Sequence, residues 1–119
     1  MSSGISIAQA AKNDFESGLL EREFERIQDG VRTLLTFSIA EPFATPVDVH
    51  RYPDYMMIIE YPMCLSLILQ RLERRFYRRI VPVTTDVKQI AKNAERYNMP
   101  ESDIVLTSKR VVNILLYFI

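Results

Sequence analysis

Apolar residues recur along this chain in steps of three and four, and the steps fall into four runs. The first holds Leu20, Phe24, Ile27, Val31, Leu34 and Leu35, one stripe of an amphipathic helix. Gly30 inside it weakens the helix by roughly 1 kcal/mol relative to alanine without overturning it. The second holds Met63, Leu65, Ile68, Leu69, Leu72 and Phe76, with Pro62 placed to open it, because a first-turn proline lacks only an N–H that has no partner there. In the third, Pro82 opens a helix with Val83, Val87, Ile90, Ala91, Ala94 and Tyr97 on one face. The fourth runs Ile104, Ser108, Val111, Leu115 and Phe118, and Ser102 or Asp103 stands where a cap belongs. No segment alternates with period two for long enough to make a strand.

The punctuation between runs carries as much information as the runs. Met99-Pro100 stops the third helix, since a proline disfavours the helical region for the residue before it, so that helix ends at or near Asn98. Between Ala40 and Pro62 lie four of the six prolines, Pro42, Pro46, Pro53 and Pro62, with Phe43, Tyr52, Tyr55 and Tyr61 among them. A connection of about 20 residues without regular structure is unusual in a compact domain and is usually functional. Proline lowers the cost of ordering it, and the aromatics supply its own packing. Four helices with one long and two short connections indicate an all-α, antiparallel four-helix bundle. Its long loop and the Asn98 turn then share one end and can enclose a pocket. Asn98 stands at that mouth with a donor and an acceptor but no charge, which suits a neutral amide ligand better than a metal, a phosphate or a nucleophile.

At 119 residues the chain has the size of one domain and needs no staples. Residues 1–18, opening Met1-Ser2-Ser3-Gly4, read as a flexible end or an added remnant, leaving 19–119 as the domain. Lys+Arg and Asp+Glu balance at 15 each, so no global field recruits nucleic acid or anionic membrane. No window approaches the ~20 apolar residues of a membrane span. Cys64 is the one cysteine, which excludes a disulfide framework and fits a reducing compartment. All three glycines precede residue 31, so no phosphate-cradling glycine loop follows. No metal ligand set, cofactor motif or pair of catalytic carboxylates stands out; the weak alternative is a Cys64–His50 nucleophile–base pair. Arg71, Arg74, Arg75, Arg78 and Arg79 crowd the end of the second run, where positive charge complements a helix dipole. Arg74, Arg75, Arg78 and Arg79 offer a weak nucleic-acid contact, although acidic neighbours favour a solvated face.

The combination Pro42-Phe43, Pro46-Val47-Asp48, Pro53-Asp54-Tyr55, Ile58-Ile59, Pro62-Met63, Arg71-Leu72 and Tyr97-Asn98-x-Pro100-x-x-Asp103-Ile104, with Asp86 and Asn93, resembles the bromodomains, four-helix modules that bind acetyl-lysine. The likeness covers residues 20 to 119. Glu21-Arg22-Glu23, Phe76-Tyr77-Arg78-Arg79 and Asn98-x-Pro100-Glu101-Ser102 resemble most the first bromodomain of the bromodomain-and-WD-repeat proteins, the branch of the pleckstrin-homology-domain-interacting protein. The resemblance implies that Asn98 donates to the acetyl carbonyl and that Tyr55 holds a water bridging to the same oxygen. It places Val47 and Tyr52 on the loop-side wall, Phe43 at the floor, Tyr97 at the rim and Ile104 as gatekeeper beside the lysine stem, with Pro42 also among the binding residues. It further implies a non-enzymatic, nuclear, monomeric reader of acetylated histone peptides in chromatin and transcription regulation. The parent chain is then expected to carry WD repeats and a second bromodomain, and to act in chromatin regulation or as a substrate receptor of a cullin-type ubiquitin ligase.

Three departures point the other way: Glu41 replaces a tryptophan shelf, the loop from Asp48 to Pro53 is short, and Cys64 replaces a capping aspartate. They motivate the alternative of a degenerate bromodomain, an interaction bundle that no longer takes acetyl-lysine.

Overall fold

The structure, a computed structural model, describes the backbone of residues 7–119 and the side chains from Gly18 onward. Helix α1 spans Ile7–Leu34 and α3 spans Leu65–Glu73, with the one-turn α2 at Tyr55–Ile58 in the connection between them. Helices α4, Ile80–Tyr97, and α5, Asp103–Phe118, complete the bundle. Among the described residues there is no strand, and no helix is long and apolar enough to cross a membrane. The four-helix expectation is met by α1, α3, α4 and α5.

Each apolar stripe turns inward, apart from Phe76, which lies beyond the end of α3 and is exposed. Ile27, Val31 and Leu34 of α1 meet Leu65, Ile68 and Leu72 of α3, Val83, Val87 and Ile90 of α4, and Val105, Val111 and Leu115 of α5 in one core. Removing such side chains from water at about 25 cal/mol per Å² drives the assembly. Ser108 is the polar residue in the α5 stripe, and its hydroxyl donates to the Val105 carbonyl at 2.6 Å, so burial leaves no orphan. Gly30 has a packing reason: the Phe118 ring lies against it, and a Cβ there would sit 3.1 Å from the ring.

Three boundaries differ from the periodicity reading. Helix α1 starts at Ile7, well before Leu20, so residues 7–18 are helical rather than a flexible end; residues 1–6 lie outside the described residues. The reason is local, because Ala8, Gln9, Ala10, Ala11, Lys12 and Glu16 are strong helix formers even without an apolar stripe. Helix α3 starts at Leu65 and not at Pro62; Pro62 ends the loop, and the backbone stays extended through Cys64 while Ser66 N–H reaches the Ala44 carbonyl at 2.9 Å. Helix α4 starts at Ile80, which puts Pro82 in its first turn but not at its first residue.

The long connection is shaped by short elements. A 3₁₀ turn covers Ser38–Phe43, and α2 forms a single turn at Tyr55–Ile58. The α3–α4 junction, with its arginines, and the α4–α5 junction lie at opposite ends of the 18-residue α4, about 25 Å apart at 1.5 Å per residue. At the arginine end, Asp86 accepts from Arg71 at 2.7 Å and from the buried Tyr77 hydroxyl at 2.5 Å. Burial first, then the Asp86 carboxylate, pushes the Tyr77 phenol well above the usual tyrosine range.

Candidate functional site

The site begins with the way α4 stops. Tyr97 is its last helical residue, and Asn98 turns extended. Met99, Pro100, Glu101 and Ser102 then form a tight turn, closed by Ser102 N–H to the Met99 carbonyl at 3.2 Å. Pro100 supplies the second position of that turn, and Glu101 holds the left-handed conformation at φ 66° that a type II turn demands of its third. Ser102 takes the N-cap position of α5 as expected, but its side chain makes no capping bond, and its buried oxygen has no partner.

This turn and the long loop enclose a cavity of about 410 Å³ at the end of the bundle. All eight residues singled out from the sequence line it: Pro42, Phe43, Val47, Tyr52, Tyr55, Tyr97, Asn98 and Ile104. The structure adds residues to which the sequence reading gave no role at the site. Met63, Ile90 and Ala94 extend the apolar lining, while Asp48 and Arg51 put charge at the loop side. Ile90 and Ala94 could have been found from the α4 stripe, since one turn separates each from the next, ending at Asn98.

Asn98 is half-buried. Its backbone N–H and its side-chain Nδ2 both reach the Ala94 carbonyl, at 3.0 and 3.1 Å. A carboxamide has two N–H donors and an acceptor oxygen, so one donor and the Oδ1 stay available to the cavity. Tyr55 is buried, and burial, followed by the neighbouring Cys64, raises its phenol above the ordinary value. Its hydroxyl bonds to no other protein group among the described residues. The Tyr97 ring stands edge-on to Tyr55 at 4.9 Å and to Tyr52 at 6.2 Å, the geometry that aromatic quadrupoles favour. Arg51 lies over the Tyr52 ring at 5.7 Å.

Asn93 gained no role from periodicity, yet it is buried at the back of the cavity. Its Nδ2 donates to the Tyr61 carbonyl at 2.8 Å, and its Oδ1 accepts from Gln89 at 2.8 Å. The signal available in the sequence was an asparagine on the apolar face of a helix, where an amide must find a partner.

Cys64 occupies the N-cap of α3 without a capping bond, as its chemistry implies, and its sulfur lies 3.3 Å from the Ser66 hydroxyl. His50 is exposed in the loop, its backbone N–H on Asp48 at 2.9 Å. No hydrogen bond among the described residues joins it to Cys64.

A family model described as Bromodomain matches residues 24–110. The chain belongs to the bromodomain family. Bromodomains generally act as non-enzymatic readers that bind acetylated histone peptides. This bromodomain is 34% identical over 80 residues to a nucleosome-remodeling factor subunit, NURF301-like, of Caenorhabditis elegans, a match covering 67% of the chain. It is 32% identical over 93 residues to a bromodomain and WD repeat-containing protein of Dictyostelium discoideum, covering 75% of the chain. Each match spans 4% of the relative's own length.

Proposed function

We propose that this bromodomain reads acetylated lysine on histone tails, taking the modified side chain into the cavity between the Pro42–Pro62 loop and the Asn98 turn. The observation that carries the reading is the half-buried Asn98 carboxamide in an apolar, aromatic-walled cavity of about 410 Å³. That volume lies at the small end of ligand pockets, which suits one extended side chain with room for a few waters at roughly 30 Å³ each.

The chemistry is discrimination by charge. Unmodified lysine carries a strongly hydrated ammonium whose burial in this cavity is costly. Acetylation leaves one amide and one methyl, and the free N–H of Asn98 satisfies the carbonyl that must be buried. Tyr55, with its hydroxyl unengaged, holds a bridging water; Phe43 and Pro42 form the floor, Val47 and Tyr52 the loop wall, and Ile104 flanks the lysine stem. One neutral hydrogen bond and a small contact area limit a single mark to an affinity on the order of 10 µM to 1 mM. Tighter recruitment then needs further modules on the parent chain or several marks.

The Dictyostelium relative supports the bromodomain-and-WD-repeat branch, and with it a nuclear parent protein carrying WD repeats that serves chromatin regulation or a cullin-type ubiquitin ligase. Arg74, Arg75, Arg78 and Arg79, at the far end of α4, are placed for a weak phosphate contact that leaves the cavity free. Arg75 is already paired with Glu21 at 2.7 Å, which keeps that contact modest.

The competing reading is an interaction bundle without acetyl-lysine binding, favoured by the uncapped start of α3 at Cys64 and by the Asn98 donor engaged with Ala94. An acetylated histone-peptide array separates the two, run beside folded Asn98→Ala and Tyr55→Phe variants. Binding that needs acetylation and drops at least tenfold in Asn98→Ala supports the reader. Silence on every acetylated peptide, or an Asn98→Ala variant that binds like the parent, establishes the bundle.

A further inference from the structure

The four-residue α2 is too short to hold itself in water, and no side chain caps its start. Helix α4 holds it from one face. Asn93 Nδ2 donates to the Tyr61 carbonyl at 2.8 Å, Arg96 Nε to the Ile58 carbonyl at 2.8 Å, and the Tyr97 hydroxyl to Asp54 Oδ1 at 2.6 Å. Positions 96 and 97 each lie one turn beyond position 93, so the three donors face the loop from one side of α4. Asn93 and Arg96 fasten its exit. Its entrance, on the mouth side, is fastened by Tyr97 and Asp54.

We infer that Asp54, which does not itself line the cavity, is a positioning residue that sets the gap between Tyr55 and Asn98 by holding the Tyr97 hydroxyl. The inference deepens the acetyl-lysine reading and rests on it. Asp54 immediately precedes Tyr55, and Tyr97 immediately precedes Asn98, so one bond ties together the two peptide units that present the two polar groups of the site. The bond is charge-assisted, roughly twice as strong as a neutral one. The Tyr97 phenol, pushed up to about 12 chiefly by its bond to Asp54, keeps its proton across the physiological range. Its ring also supplies the edge-on partner of both Tyr55 and Tyr52, so a released Tyr97 loosens two walls at once. A site that is open part of the time binds more weakly in proportion to the competent fraction.

The test is a double-mutant cycle with Asp54→Ala, Tyr97→Phe and the pair, beside Asp54→Asn, each checked for a parent-like melting transition. The probe is the peptide Gly-Gly-(acetyl-Lys)-Gly-Gly, titrated by chemical-shift changes. Each single variant is expected to weaken binding about three- to tenfold, the double variant no more than the weaker single, and Asp54→Asn to recover most of the loss. A bond that merely stabilises the free and bound forms alike leaves the dissociation constant unmoved. Affinity unchanged in Asp54→Ala, or losses that multiply in the double variant, overturns the inference.

Amide exchange at Tyr55, Met57 and Ile59 separates this failure from failure of the reader itself. If the parent binds no acetylated peptide, the acetyl-lysine reading falls; faster exchange in Asp54→Ala then still supports the clamp, and unchanged exchange removes it.

Discussion

Asn98 Nδ2 lies 3.1 Å from the carbonyl of Ala94, one turn back on α4, so the same carboxamide closes the helix and faces the cavity. Structural and ligand roles therefore share one side chain, and their separate removal is measurable. Asn98→Ala is expected to lower stability by about 0.5–1 kcal/mol for the lost bond, while affinity for an acetylated peptide falls tenfold or more. Denaturant melts and a peptide titration on the same samples check both numbers.

Asp86 accepts from two donors that have little water to turn to. Tyr77 is 6% exposed and Arg71 is half-buried. Asp86→Ala leaves both without a partner and is expected to cost about 2–3 kcal/mol, whereas Tyr77→Phe, which removes the donor as well, costs about 1 kcal/mol. Peptide affinity stays within about twofold in both, because Asp86 precedes the Asn98 end of α4 by about 18 Å and the cluster itself does not line the cavity. A urea titration and the peptide assay read the two quantities.

Gly30 and Phe118 test the bundle at the α1–α5 contact. A leucine at position 30 drives its side chain into the Phe118 ring, and overpacking of this kind costs about 1–3 kcal/mol. Phe118→Ala in the same chain is expected to return part of that loss, because the space is refilled. Thermal melts of the two singles and the pair show whether the ring is the obstacle.

The phenols give the pH dependence its sign. Tyr55, Tyr77 and Tyr97 are all raised in the folded protein above their ordinary value of 10.0, Tyr97 to about 12. A raised folded value means that the stabilising contribution is complete below pH 10 and is lost as pH climbs through the folded value. Asp54→Ala is accordingly expected to bring the Tyr97 step, absent in Tyr97→Phe, down from about 12 toward 10 in a titration of absorbance at 295 nm.

Ser102 looks like a cap by position and is none by geometry. Ser102→Ala is expected to change stability by less than about 0.5 kcal/mol, where deletion of a bonded cap typically costs about 1 kcal/mol. A chemical melt decides it.

Spacing was enough for the four main helices, for the stop at Asn98 and for the loop–turn partnership, because burial of apolar stripes and the backbone limits of proline act within a few residues. The list of eight lining residues came from the resemblance to the bromodomains, with Asn98 alone singled out by the helix stop itself. Where spacing failed, the deciding term lay outside the window read. The early start of α1 came from helix-forming residues with no apolar stripe, and the shift of α3 from Pro62 to Leu65 answered a backbone bond to Ala44 across the loop.

What the sequence by itself determined is the order and inward face of α1, α3, α4 and α5, and the presence of an uncharged amide where α4 ends. What only the tertiary structure decided is how that amide is held. The grip of Asn93, Arg96 and Tyr97 on Tyr61, Ile58 and Asp54, the pairing of Arg71 and Tyr77 with Asp86, and the ring of Phe118 on Gly30 join residues 9 to 88 positions apart. Hydrogen bonds and steric contact act over a few ångströms of space, and a linear pattern carries no record of which distant side chains the fold brings that close.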